Sequence, residues 1–218
     1  ISGVDGSGKS TMLEEIDSVL GRFMTIKRFH LGRPQGRLIE LVWRFFGKKS
    51  ANAHMPGTLD MVAPTTKLRA FNAAILSLLR LWKARSVTKE ASRGGLMLID
   101  RWPTDQVGKM DGPRIILRDG FGWMVKLCKI IETWSYANMP QADLCFFFTV
   151  PVDVATERNR NRIKENKETE EMILARFLAN LDYKPLSNKT VRFDNSGEFS
   201  AKRKELLHKI WCQIANRY

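Results

Sequence analysis

Gly3-Val4-Asp5-Gly6-Ser7-Gly8-Lys9-Ser10 is the stretch that decides how this chain is read. It fits G-x-x-x-x-G-K-[ST] with no position forced, the pattern of a loop that cradles phosphate. Glycines let the backbone curl until several N–H groups point into one concavity, which holds an anion. A helix starting at the lysine adds its positive N-terminal end. Lys9 is placed to reach the β- and γ-phosphates, and the Ser10 hydroxyl to ligate Mg²⁺. The pattern requires a strand before the loop and a helix after it. Residues 1–4 read as the end of a buried strand, and Leu13, Ile16 and Leu20 give helical spacing from about Lys9 to Phe23. Gly3, Asp5, Gly6, Ser7, Gly8, Lys9, Ser10 and Thr11 are the expected cofactor-binding residues, with ATP and Mg²⁺ the expected cofactors.

Beyond that helix, Met24–His30 favours a second strand, followed by a turn with Arg33 at its centre. Ligands in open α/β sheets bind beyond the carboxyl ends of strands, so Arg33 is a candidate substrate-binding residue. A short amphipathic helix is expected around Leu38–Phe46, then a long Gly/Pro-punctuated loop over 47–64. A long helix is expected from about Thr65 to Ser92, with Leu68, Phe71, Ile75, Leu78 and Trp82 on its core face and Arg80 among the side chains that could meet a ligand. Gly94-Gly95 ends it, and the apolar strand Leu96–Ile99 runs into Asp100-Arg101-Trp102. A carboxylate at such a strand tip suits metal or water ligation, and the adjacent arginine suits bidentate phosphate capture. Thr104-Asp105 could cap a short helix, and Trp123, Leu127, Ile130 and Trp134 trace another. Leu144–Val150 is the clearest strand. The charged segment of about 153–171 follows, where Arg158 and Arg162 share a helix face and are expected to form a lid over phosphates. Thr190–Phe193 reads as the last strand, and Leu207, Ile210, Trp211 and Ile214 make a closing helix. Five strands separated by helices give an α/β fold of parallel βαβ units, read as one domain over residues 1–218.

The bulk composition is that of a soluble globular chain: 218 residues, 44% hydrophobic and 27% charged. The net charge of +13 is unusual, and its excess flanks a near-neutral block at residues 96–153. It favours anionic partners: nucleotides, nucleic acid or an acidic membrane surface. Cys128, Cys145 and Cys212 are far apart in apolar stretches, and His30, His54 and His208 form no sequence cluster. Neither set reads as a disulfide framework or a zinc site, so a reduced, cytoplasmic protein is expected, with a targeting segment upstream of Ile1 left open.

With these residues in place, the chain resembles the thymidylate kinase family of nucleoside-monophosphate kinases. The carriers are Ile1–Thr11, Asp100-Arg101-Trp102 (similar to the family's D-R-Y/H), Val150-Pro151 followed by Arg158-x-x-x-Arg162, and the turn Asp194-Asn195-Ser196. The resemblance implies a P-loop NTPase fold, a five-stranded parallel sheet flanked by helices with a lid. It implies donor phosphates on Gly6, Gly8, Lys9 and Ser10, with Mg²⁺ held by Ser10 and Asp100. Asp5 would contact the acceptor, Arg101 would hold it, and Arg158 and Arg162 would neutralise the transferred phosphoryl. Lys9, Asp100, Arg101, Arg158 and Arg162 are thus the expected catalytic set, and Asp5, Arg33, Arg80 and Arg101 the expected substrate contacts.

Three departures separate the chain from that pattern. The family's Phe-x-x-x-Arg on the long helix is missing, since Ile75 follows Phe71 by four and Leu76 precedes Arg80 by four. Trp102 stands for Tyr or His, and Thr149 for the Asp before Val-Pro. The leading expectation is an ATP-dependent kinase acting on a nucleoside monophosphate, dTMP or a related nucleotide. A kinase of a sugar or other non-nucleotide acceptor is one alternative. A basic P-loop module binding nucleotide plus nucleic acid or membrane, with catalysis lost, is another. The protein's partners are then a small-molecule phosphate acceptor and, as a candidate assembly, a homodimer.

Overall fold

Short apolar strands alternate with helices along the chain, the pattern that stacks parallel strands side by side and covers both sheet faces. The computed structural model describes residues 1–3, 6–32, 66–160 and 169–215. The order is β1 (Ser2–Gly3), α1 (Lys9–Leu20), β2 (Ile26–His30), α2 (Lys67–Ala91), β3 (Leu96–Asp100), α3 (Trp123–Ala137), β4 (Cys145–Thr149), α4 (Val152–Arg160), α5 (Glu170–Ala179), β5 (Thr190–Asp194) and α6 (Phe199–Ala215). All strand pairs are parallel: β1 with β4, β4 with β5, and β2 with β3. The three-stranded and two-stranded pieces meet at Ile1. Its amino group donates to the Ile99 carbonyl at 2.6 Å, and the Arg101 N–H donates to the Ile1 carbonyl at 2.8 Å. Those two bonds flank Asp100 as a parallel ladder would, giving the sheet order β2-β3-β1-β4-β5. The expected parallel α/β fold is what the chain forms, its strands paired as a three-stranded and a two-stranded ladder rather than one continuous five-stranded ladder.

One face of this sheet is closed by α1 and α6. Met12, Leu13, Ile16 and Leu20 pack with Leu98, Phe146, Phe148, Phe193, Leu206 and Ile210. Because successive strand side chains point to opposite faces, Phe147 turns the other way and stacks on Tyr183, ring centroids 5.1 Å apart. β4 is therefore buried on both sides, which its uninterrupted Cys145–Phe148 run predicts.

The core face of α2 corrects the sequence expectation. Its buried residues are Ala70, Ala74, Ser77, Arg80, Leu81, Ala84 and Val87, whereas Phe71, Leu78 and Trp82 point to solvent. The small side chains let α2 approach α3 closely: Ala70 and Ala74 pack on Val125, Cys128 and Ile115. The short helix expected after Thr104-Asp105 is also absent, since residues 101–122 form turns and extended chain. Pro103, Gly108, Gly112 and Pro113 break helical hydrogen bonding there. The Thr104 hydroxyl instead donates to the Lys184 carbonyl at 2.6 Å. The expected helix at Leu38–Phe46 and the loop at 47–64 lie outside the described residues.

Candidate active site

The phosphate loop takes the shape its glycines permit. Gly6 (φ 82°) and Gly8 (φ 81°) occupy left-handed conformations, and Gly8 caps α1. A Cβ on Gly6 would stand 3.0 Å from the Ala155 carbonyl oxygen, and one on Gly8 2.5 Å from Asn195 Nδ2. Lys9 opens α1, is 7% exposed, and donates to Ser7 Oγ at 3.3 Å. Ser10 and Thr11 lie exposed on the first turn of the helix. Gly3 belongs to the strand rather than the cradle: its Cβ would lie 2.5 Å from the Phe148 carbonyl, so glycine lets β1 lie against β4. Asp5 lies outside the described residues.

Two side chains from the far end of the sheet brace this loop. Asn195, just past β5 and buried, donates from Nδ2 to the Ser7 carbonyl at 2.8 Å. The Asn195 carbonyl accepts from Arg158 Nη2 at 2.9 Å. The other guanidinium nitrogen, Nη1, is buried without a hydrogen-bond partner among the described residues and would stand 3.7 Å from a Cβ on Gly8. Arg158 on α4 thus brings an unspent donor to the loop. Its companion Arg162 lies outside the described residues. Asn195 was expected only in the turn near the donor; its bond to the loop required knowing that β5 ends beside β1's neighbour.

Across the sheet, β2 and β3 run in register, His30 opposite Asp100. His30 Nδ1 and Asp100 Oδ2 are 3.0 Å apart. Asp100 Oδ1 is buried with no hydrogen-bond partner among the described residues. Burial pushes the Asp100 carboxyl up. The His30 hydrogen bond and the charges of Lys9, His30 and Arg101 outweigh it and hold the group below the usual carboxylate range. Asp100 is therefore an anion beside the loop lysine. His30 escaped the sequence reading, because its partner sits seventy positions away and only strand register joins them.

Arg101 follows in a strained left-handed conformation (φ 66°), which turns it off the strand axis toward Asp111. Its Nη1 lies 3.6 Å from Asp111 Oδ2. Asp111 is buried and also left-handed (φ 61°). It accepts from Arg80 Nη2 at 2.9 Å, while Arg80 Nη1 donates to the Tyr136 hydroxyl at 2.8 Å and to the Asp111 carbonyl at 3.1 Å. Burial pulls the Arg80 guanidinium down, but Tyr136 and Asp111 more than compensate and raise it. Arg80 was expected to face a ligand. The structure places it 5% exposed, on the far side of Asp111 from Arg101, where it anchors Arg101's partner. Arg33 lies outside the described residues.

The geometry therefore converges on one place: a glycine-shaped anion cradle, a buried lysine, an anionic carboxylate with an open oxygen, and two arginines on opposite flanks. Donors and charges of this kind have the chemistry to hold a phosphate chain. No family model matches the chain. Over 152 residues it is 30% identical to the protein called uncharacterized ATP-binding protein YghS of Escherichia coli (strain K12), spanning 64% of this chain and 62% of that protein's length. The thymidylate kinase of Candida albicans superposes with a TM-score of 0.53 over 99% of this chain and 89% of its own, at 12% identity. The deoxyadenosine kinase of M. mycoides, solved with dATP bound, gives 0.51 over 96% of this chain and 99% of its own, at 15% identity. In fold the chain is similar to these two kinases. No helix among the described residues is long and apolar enough to cross a membrane.

Proposed function

We propose that the chain is an ATP·Mg²⁺-dependent phosphotransferase that moves the γ-phosphate of ATP to a nucleoside monophosphate, dTMP or a related nucleotide. The observation that carries this reading is the pair of buried, unpartnered polar atoms on the two flanks of the phosphate loop, Asp100 Oδ1 and Arg158 Nη1. A polar atom left unsatisfied in the interior costs about 1–3 kcal/mol, so two at one site point to a ligand that satisfies both. An anionic nucleotide suits Arg158, and a divalent cation suits Asp100.

The residues present fit Mg²⁺: the exposed Ser10 hydroxyl and the open Asp100 oxygen would hold it, and it would neutralise phosphate charge there. In this reading Gly6, Gly8 and Lys9 fix the β- and γ-phosphates. Arg158 stabilises the charge on the transferred group, and Arg101 holds the acceptor phosphate in line. Asp5 and Arg162 complete the acceptor contact and the lid. As the acceptor oxygen bonds to the γ-phosphorus, the bond to the bridging oxygen breaks and ADP leaves. Phosphoryl transfer asks mainly for this positioning and charge. The absent Phe-x-x-x-Arg argues for relaxed base selection, because a site reads a base strongly only through buried hydrogen bonds.

An ADP-release assay with ATP, Mg²⁺ and a panel of nucleoside monophosphates, nucleosides and sugars tests the reading. Turnover should rise with a nucleotide acceptor and fall at least ~100-fold in Lys9→Ala, roughly the effect of removing one charge-stabilising donor. No stimulation by any acceptor overturns the proposal.

A further inference from the structure

β2 ends on His30, directly beside the tip of β3 where Asp100 stands. The main chain is held there from two sides. Lys83 Nζ on α2 donates to the His30 carbonyl at 2.6 Å, and the next residue, Leu31, donates its N–H to the Asp100 carbonyl at 2.9 Å. The imidazole then lies in a slot. A Cβ on Gly32 would collide with His30 Nε2 and stand 2.9 Å from Arg101 Cδ. Glycine at position 32 therefore leaves room for both the ring and the stem of Arg101.

A carboxylate only accepts, so in the 3.0 Å contact between His30 Nδ1 and Asp100 Oδ2 the imidazole is the donor. That bond does more than pair two groups. Turning the carboxylate about its last bond exchanges the two oxygens, so a held Oδ2 also fixes where Oδ1 points. Oδ1 is buried with no hydrogen-bond partner among the described residues. As a stability device the contact is weak, because the His30 side chain is 44% exposed and ion pairs open to water contribute little. A purely structural contact also gives no reason to leave the second oxygen buried and open. Orientation gives one. Removing the hydrogen-bond partner of a metal-ligating side chain costs roughly 10–100-fold in metal affinity or activity.

We infer that His30 is a positioning residue: its imidazole holds Asp100 Oδ2 so that Oδ1 faces the divalent cation that Ser10 and Asp100 would share. Gly32 belongs to the same arrangement, because any larger residue there displaces the ring. The inference rests on the phosphotransferase reading for the cation itself, and it adds to that reading a residue on β2 that acts only through Asp100.

Mn²⁺ binding to the ADP-loaded protein, followed by electron paramagnetic resonance, tests this without turnover. His30→Leu removes the donor, whereas His30→Asn keeps one, its amide nitrogen falling where Nδ1 stands. His30→Leu should weaken Mn²⁺ binding roughly 10–100-fold and leave metal-free ADP binding unchanged, and His30→Asn should recover most of the loss. In steady state, the Mg²⁺ concentration for half activity should rise in His30→Leu while kcat at saturating Mg²⁺ changes far less. Gly32→Ala should weaken Mn²⁺ in the same direction with His30 in place; this arm decides the matter if His30→Leu loses its native circular dichroism, and native affinity in it then overturns the inference. Native Mn²⁺ affinity in a folded His30→Leu, or no recovery with His30→Asn, overturns the positioning role and leaves the phosphotransferase reading standing. So does a nitrogen coupling to Mn²⁺ that vanishes with His30→Leu, which would make the imidazole a ligand in its own right. A native chain that binds ADP but no Mn²⁺ overturns both.

Discussion

Gly8 is where a single residue carries the most weight. Its left-handed φ strains any other residue by about 1–3 kcal/mol, and a Cβ there would press on the amide nitrogen of Asn195. That amide holds the Ser7 carbonyl and so keeps the loop's N–H groups turned inward. Gly8→Ala is expected to lower stability by a similar ~1–3 kcal/mol and to weaken ATP binding at least tenfold by calorimetric titration. Asn195→Ala should weaken ATP binding with little strain of its own. If both variants bound ATP as the native chain does, the brace would be irrelevant to the site. The loop itself was legible in the sequence, because its function depends on residue types at fixed spacing. The brace was not, because Asn195 reaches Ser7 across 188 positions.

At the scale of elements, the buried Arg80–Asp111 ion pair ties the 101–122 loop to α2. Arg80→Met would leave the Asp111 carboxylate buried without its main partner, costing about 3–5 kcal/mol in urea denaturation. Adding Asp111→Asn should restore much of that loss. A cost below ~1 kcal/mol for Arg80→Met alone would show that the pair does not hold the loop. Tyr183 gives a pH test of the same region. It stacks on Phe147 and donates to the Trp102 carbonyl at 2.7 Å. Burial, helped by the nearby Asp111 charge, holds its phenol well above 10.0. The folded protein therefore keeps this proton more tightly than the unfolded chain. The stabilisation is intact below about pH 10 and lost as pH rises above it. Tyr183→Phe should flatten that alkaline loss in urea midpoints measured from pH 9 to 11, and an unchanged slope would assign it to other groups.

Helix periods were readable from the sequence, but their direction was not. Phe71, Ile75, Leu78 and Trp82 announce a helix correctly and suggest a core face, yet Ala70, Ala74 and Ala84 take that face. A stripe shows where an apolar surface lies on a helix; close helix contact favours whichever face is small. The Arg80–Asp111 pair was illegible for another reason. Asp111 sits in an irregular loop that offers no period to count.

For the whole molecule, sheet order explains why distant motifs meet. With β1 between β3 and β4, the loop after β1 has the tip of β3, bearing Asp100, on one side and the segment after β4, bearing Arg158, on the other. Parallel strands put all these tips at one edge, where ligands of open α/β sheets bind. β3 and β4 were legible as apolar runs, and the meeting of Gly8, Asp100 and Arg158 follows from strand order. The net charge of +13 adds long-range attraction for anionic nucleotides. The most direct measurement of the central claim is the fate of the label in γ-³²P-ATP mixed with the protein, Mg²⁺ and nucleoside monophosphates. The label should appear on a nucleoside diphosphate and stay on ATP with Lys9→Ala. Label recovered only as inorganic phosphate, or left on ATP with every acceptor, would contradict phosphoryl transfer at this site.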